Sequence, residues 1–208
     1  MVKLSIEFNA FDDDLTVAGI KASGKSVFVK WFAKRVVHDQ PYIIYDPNEQ
    51  HDELGYVCEI PSCFNLNFKR LKHIVYQPKE DTKESFDEFC KLLHYRYDNF
   101  IFIIEEADRY FVNSPFPLKG ESGHFYHKAR NRGVSFIAVT RRPQCIHKDV
   151  INNSRHLAIF NLHSSDLKYL EREFKLENIW LIKDQPPYHS LYYRDERFIG
   201  VLKPVPIL

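Results

Sequence analysis

Gly19-Ile20-Lys21-Ala22-Ser23-Gly24-Lys25-Ser26 is the stretch on which the rest of the chain can be hung. It fits the spacing G-x-x-x-x-G-K-[ST], and the chemistry asks for those residue types. Glycines let the backbone curl until successive N–H groups point at phosphate oxygens, at the positive end of the helix that follows. Lys25 is expected to reach the β- and γ-phosphates, and the Ser26 hydroxyl to hold Mg²⁺. The chain has only seven glycines, and two of them fall at the required positions. Leu15-Thr16-Val17-Ala18 reads as a strand before the loop, and 25–38 as a helix after it. Lys30, Lys34 and Arg35 share one narrow face of that helix, so the rest of it is expected to lie between protein layers. Strand, glycine loop and helix in that order make 19–26 a nucleoside triphosphate site.

A triphosphate site that hydrolyses needs a second apolar strand ending in acid. Phe100-Ile101-Phe102-Ile103-Ile104-Glu105-Glu106 supplies one. Continued strand alternation would send the two carboxylates to opposite sides, so their roles should differ. Glu105 is assigned to the Mg²⁺ shell through water, and Glu106 to polarising the attacking water. Asp108 reads as a local cap or ion-pair partner.

Around these two strands the pattern alternates. Residues 3–8 read as a strand, as do Tyr42–Tyr45, His73–Tyr76, Val134–Thr140 and Leu157–Phe160. A helix is expected from Asp81, with Glu84 as its capping pair, through Phe86, Phe89, Cys90, Leu93 and Tyr97. Another should be capped by Ser164 or Ser165 and run to Phe174. Tyr188–Tyr193 and Phe198–Leu202 resemble a hairpin turning at Asp195-Glu196. Asn113 to Lys128 is the most loop-like stretch, with a helix expected somewhere between it and Val134. Strands alternating with helices predict a mainly parallel sheet covered on both faces, in one domain over 1–208.

Composition narrows the class. At 44% hydrophobic and 15% aromatic the chain can build a core, which excludes intrinsic disorder. Its longest strongly apolar run, Phe100–Ile104, is far short of the roughly 20 residues that span a bilayer, and the start lacks a signal-peptide core, so a soluble, cytoplasmic protein without a membrane span is expected. Four cysteines, at 58, 63, 90 and 145, read as free thiols, and the spacing of His51, Cys58 and Cys63 fits no common zinc pattern. The net charge of +1 hides an asymmetry. Between Arg109 and Arg155 nine basic residues face two acids, against 20 basic and 26 acidic elsewhere. That segment is expected to form a phosphate-facing surface.

From the phosphate loop to about Phe160 the chain resembles the HerA/FtsK superfamily of DNA-pumping ATPases, in particular the small genome-packaging ATPases of membrane-containing viruses. Ile43-Ile44-Tyr45-Asp46-Pro47 is similar to the family's second strand, and Glu105-Glu106-Ala107-Asp108 to its Asp-Glu-Ala-His motif. Ala129-Arg130-Asn131-Arg132-Gly133-Val134 resembles the segment whose arginine completes a neighbour's active site. Thr140-Arg141-Arg142-Pro143 resembles its Thr-Gln-Arg-Pro, and Asn152-Asn153 its polar residues before a later strand. Glu105 stands in place of the usual aspartate, and Arg141 in place of a glutamine that senses the γ-phosphate. The resemblance implies an ASCE-type (RecA/FtsK-like) P-loop fold with ATP and Mg²⁺ as cofactors. It implies Arg130 as an arginine finger acting in trans, with Arg132 in reserve, and leaves Arg141 as either a sensor or an additional charge. The working form would be a homo-oligomeric ring, a hexamer.

On this reading the chain drives double-stranded viral DNA into a preformed capsid, in the host cytoplasm and at a portal vertex. Lys119, Lys128 and Arg132 are the expected DNA contacts, with the 113–128 stretch facing the channel. Three alternatives share the phosphate loop, one of them a morphogenesis ATPase that extrudes a filamentous virus and would usually carry a membrane span. A cellular DNA translocase of the same superfamily would normally carry a further ring-forming domain. A P-loop kinase for a nucleoside or small metabolite would need an arginine-rich lid, and an acidic residue on an apolar strand suits water activation better.

Overall fold

The computed structural model describes residues 6–59 and 71–206. Its nine described strands are β1 (Leu15–Ala18), β2 (Tyr42–Tyr45), β3 (Tyr56–Cys58), β4 (His73–Tyr76), β5 (Phe100–Ile104), β6 (Val134–Thr140), β7 (His156–Ile159), β8 (Ser190–Arg194) and β9 (Arg197–Leu202). They lie in the order β3-β4-β2-β5-β6-β1-β7-β8-β9. Pairing is parallel from β3 to β7 and antiparallel for β7–β8 and the β8–β9 hairpin.

Each central strand feeds two cores, as the period-2 pleat requires. Phe100, Phe102 and Ile104 of β5 face one core, with α2 (Lys83–Arg96), α3 (Gly120–Ala129) and α5 (Ser164–Phe174). Ile101 and Ile103 face the other, against Phe28, Val29 and Phe32 of α1 (Lys25–Arg35). The first core is densely aromatic: Phe86 stacks on Tyr110 at 4.2 Å between ring centroids, and Tyr76 on Phe89 at 4.2 Å. A buried phenyl ring contributes about 1.5–3 kcal/mol, so this cluster fixes how α2 and α3 sit on the sheet.

Several boundaries differ from expectation. Residues 3–5 fall outside the described residues, and 6–8 are not a strand. Asn9 donates its N–H to Asp13 (2.8 Å), closing a turn, and Phe8 packs its ring on Phe32 instead. α2 is capped by Thr82, whose Oγ1 accepts the Ser85 N–H, rather than by Asp81 with Glu84. The Asp81 carboxylate is taken by Arg109 and the Tyr110 hydroxyl. α5 is entered from His163 with no side-chain cap, so neither Ser164 nor Ser165 caps it. Half of the expected loop is helix: α3 starts at Gly120, where Asp87 accepts the Ser122 N–H (2.9 Å) and Lys83 donates to the Ser122 hydroxyl (2.5 Å). Among the strands and α-helices, β3 and the short α4 (Lys148–Asn152) were not expected.

The basic segment is largely neutralised in space. Arg109 pairs with Asp81, Arg130 with Asp12, Arg132 with Asp98, Arg141 with Glu106, Lys148 with Glu173, and Arg155 with Asp13 and Asp195. The charge asymmetry along the chain is thus mostly an exchange of partners between segments. Lys119, Lys128 and Arg142 have no ion-pair partner among the described residues. Cys90 and Cys145 are free thiols, as expected, and Cys63 lies outside the described residues.

At the end of the sheet where β1 and β6 begin, acids crowd together. Asp13 accepts from Arg155 (3.0 Å) and lies 3.0 Å from His156 Nε2. Asp14 accepts the Phe136 N–H at 2.6 Å. Burial pushes the Asp14 carboxyl up from 3.8 to about 7, opposed by the Phe136 bond and Arg130. A carboxyl raised in the folded state binds more protons there than in the unfolded chain across that window. Its contribution is therefore full below about pH 4, declines as pH rises to 7, and is absent above. Asp14→Asn keeps the acceptor without the charge, and should raise stability by about 2 kcal/mol at pH 8. Urea unfolding at pH 8 and pH 4 checks it, because an equal gain at both would rule out ionisation as the source.

Candidate nucleotide-hydrolysis site

The C-terminal ends of the parallel strands carry the site, where such sheets place ligands. β6 lies between the loop's strand β1 and the acidic strand β5, the arrangement of ASCE-type P-loop folds.

The phosphate loop leaves β1 after Ala18. Gly19 donates its N–H to Thr140 O (3.1 Å), and Ile20 to Asn161 O (2.8 Å). A Cβ on Gly19 would lie 2.5 Å from Ser23 Oγ and 2.7 Å from Phe160 Cβ, so only glycine fits there. Gly24 enters α1 at φ +107°, a conformation that side chains avoid. Lys25 is buried and folds back, donating to Gly19 O (2.6 Å) and Ile20 O (2.9 Å). Burial lowers its pKa, against the pull of Glu105 and Glu106. The ammonium thus rests inside its own loop, where a phosphate could draw it out.

The acidic residues are set apart differently from the expectation. β5 stops at Ile104, and Glu106 sits in the left-handed region at φ 53°. A turn, not continued alternation, separates the two carboxylates. Glu105 is buried, with Oε1 2.7 Å from His51 Nε2. Glu106 faces the loop, where Arg141 forms an ion pair with its Oε1 and Asn48 Nδ2 donates to the same atom at 3.4 Å. Burial raises the Glu106 pKa; Arg141 opposes this and Asp108 and Glu105 add to it. A carboxylate made more basic and fixed beside a phosphate loop suits water polarisation. Asp108 accepts the Thr140 hydroxyl (2.8 Å), a local tie between β6 and the acidic turn.

The Asp46–His51 loop, after β2, reaches three of these side chains. Asp46 Oδ2 accepts the N–H groups of Gln50 (2.7 Å) and His51 (2.9 Å). Gln50 Oε1 accepts the Ser26 hydroxyl proton (2.9 Å), while His51 holds Glu105 and Asn48 meets Glu106. None of Asn48, Gln50 and His51 was singled out for this site by the sequence. The available signal was Asp46-Pro47-Asn48, a turn whose aspartate can bind backbone N–H groups further on.

The candidate metal donors are oxygen atoms: the Ser26 hydroxyl, the Glu105 carboxylate and Asp46 Oδ1, which is buried without a hydrogen-bond partner. Hard oxygen donors, few enough to leave room for phosphate and water, fit Mg²⁺. Among the described residues no cluster of three or more His, Cys, Asp or Glu forms a metal cage.

Beside the loop lies an apolar cavity of about 330 Å³ lined by Val27, Phe28, Phe160, Tyr188, Pro204 and Val205. Its position at the start of α1 and its aromatic walls suit a planar base.

Arg130 lies in a 3₁₀ turn before β6, at the opposite end of the sheet from the loop. β6 has seven residues, which at about 3.3 Å each puts roughly 20 Å between Arg130 and its own phosphate site. Arg130 donates to Asp12 at 2.8 Å and is exposed. Arg132 is tied to Asp98 (2.6 Å) and Tyr97 O (3.3 Å). Lys119 precedes α3, its ammonium 5.3 Å from the Phe116 ring centre, and Lys128 lies in the helix's last turn; both are exposed. Asn152 and Asn153 line the far-end cleft with Asp12, Arg130 and Arg155.

The chain therefore has a P-loop fold of the ASCE type with a C-terminal antiparallel hairpin. In detail it is similar to the genome packaging NTPase B204 from Sulfolobus turreted icosahedral virus 2 in complex with ATP-gammaS, at 24% identity and a TM-score of 0.76, covering 95% of this chain and 99% of that one. The DNA-packaging ATPase B204 from Sulfolobus turreted icosahedral virus is alike at 22% identity and TM-score 0.76, over 94% and 98% of the two chains. VirB4 of Thermoanaerobacter pseudethanolicus shares the fold at 9% identity and TM-score 0.66, over 93% and 90%. At such identities the likeness establishes the fold. No family model and no curated protein matches the sequence. Among the described residues no helix is long and apolar enough to cross a membrane.

Proposed function

We propose that this protein is an ATPase that drives double-stranded viral DNA into a capsid. The observation that carries the hydrolytic half is the placement of Glu106 beside Arg141 and the Lys25 loop. In this reading the 19–26 backbone N–H groups and Lys25 hold the triphosphate, and the base occupies the Phe28–Phe160–Tyr188 cavity. Glu106 orients water and accepts its proton, and Arg141 transfers its guanidinium from Glu106 to the γ-phosphate. Ser26 and Glu105, the latter through water, would hold Mg²⁺, which supplies charge neutralisation between the β- and γ-phosphates. Arg130 completes a neighbouring subunit's site, which makes the working form a ring, a hexamer.

The DNA half is supported by the resemblance to packaging ATPases and by the uncompensated charges of Lys119 and Lys128. Both contact phosphates, with no reading of base sequence. Arg132, already engaged by Asp98, contributes less. The ring acts in the host cytoplasm and at the capsid's portal vertex.

The test is ATP turnover with and without duplex DNA at several protein concentrations. Stimulation by DNA that grows with protein concentration is expected. Lys119→Ala/Lys128→Ala should reduce the salt slope of DNA binding by about 1–2 units. A wild-type chain that hydrolyses ATP with no response to DNA of any length would remove the motor from this reading.

A further inference from the structure

A serine hydroxyl carries one proton and two lone pairs. To present lone pairs to a cation it must send its proton elsewhere, so a metal-binding serine needs an acceptor on its far side. Two carboxylate oxygens at the neighbouring strand ends are already engaged, and Asp46 Oδ1, buried without a hydrogen-bond partner, does not take the Ser26 proton either. Glu105 Oε1 is engaged by His51 at 2.7 Å, and Asp46 Oδ2 by two backbone N–H groups at 2.7 and 2.9 Å. The Ser26 hydroxyl instead donates to Gln50 Oε1 at 2.9 Å. Gln50 is itself pinned through its backbone N–H to Asp46, at the end of β2. Asp46, Gln50 and Ser26 thus form a chain of hydrogen bonds from a sheet strand to the first turn of α1.

We propose that Gln50 is a positioning residue for Mg²⁺, taking the Ser26 proton so that the serine oxygen faces the metal, with Asp46 holding Gln50 in place. The inference rests on the nucleotide-binding reading above and adds a residue to it. It also gives the Asp46–His51 loop a chemical part, since the same turn supports Glu105 through His51.

The experiment is equilibrium binding of a fluorescent ATP analogue to the full chain, titrated with Mg²⁺ and repeated without it. For Gln50→Ala about tenfold more Mg²⁺ is expected for half-maximal enhancement, the usual scale for losing a group behind a metal ligand. Affinity without metal should stay at the wild-type value, which also reports an intact fold, because Gln50 is exposed. Gln50→Glu, which offers only acceptor oxygens, should retain the enhancement. Three results would overturn the proposal. One is Gln50→Ala saturating at wild-type Mg²⁺. Another is an equal loss with and without metal, which marks a structural part. The third is Gln50→Glu failing like alanine, which would mean that the amide donates rather than accepts. Wild-type chain that binds the analogue without any enhancement by Mg²⁺ would also overturn the proposal, whereas wild-type chain that binds no analogue with or without Mg²⁺ would overturn the nucleotide reading itself, and is seen before any variant is compared.

Discussion

Glu106→Gln is expected to bind ATP as tightly as the wild-type chain and to cleave it about 10³-fold more slowly, within the range for losing a positioned general base. The amide keeps the shape of the side chain but cannot take a proton from water. Binding should survive because, on the proposed reading, the phosphates are held by the 19–26 backbone and by Lys25, whose ammonium donates to Gly19 O and Ile20 O. Losing the negative charge also frees Arg141, whose guanidinium is paired with Glu106. Nucleotide affinity should therefore be unchanged or slightly higher. Single-turnover hydrolysis beside a binding titration separates the two effects. Cleavage within tenfold of wild type would mean that Glu106 is not the base, and would leave Arg141 holding a bystander.

Arg130→Ala should abolish turnover by a factor of about 10³ or more, as removing an arginine finger does. Its distance from its own loop, roughly 20 Å along β6, means that any such effect must arise at a neighbour's site. The guanidinium is docked on Asp12 with both side chains exposed. An exposed pair of this kind is worth about 0–1 kcal/mol, so docking does not prevent transfer to a phosphate across a boundary. Arg132 is the weaker choice, with its guanidinium divided between Asp98 and Tyr97 O. Mixing Arg130→Ala with Glu106→Gln subunits should restore part of the turnover. Some boundaries then join an intact Glu106 to an intact finger. No recovery at any mixing ratio counts against action in trans, and normal turnover of Arg130→Ala alone counts against the finger.

The phosphate loop, its flanking strand and helix, and the acidic strand were all legible in the chain. Each is a local demand of backbone chemistry: Gly19 has no room for a Cβ, Gly24 needs positive φ, and five consecutive apolar residues belong in a strand buried on both faces. Helix starts were read less well, because the deciding competition was not local. Asp81 looked like a cap until Arg109 and Tyr110, far along the chain, claimed its carboxylate. The 113–128 stretch looked like loop because two prolines and two glycines, Pro115, Pro117, Gly120 and Gly123, interrupt it. Yet Phe125, Tyr126 and Ala129 had a hydrophobic surface to cover, and α2 offered Asp87 and Lys83 to start the helix.

Sequence alone was enough for the glycine loop, the layered parallel sheet and the acidic end of β5, since spacing along the chain specifies which backbone can curl and which strand ends in charge. Tertiary structure decided who neutralises whom. Arg141 met Glu106, His51 met Glu105, and Gln50 met Ser26 only because the parallel order β2-β5-β6-β1 brings four strand ends side by side. Charges distant in sequence become partners by folding, and composition carries no record of that distance.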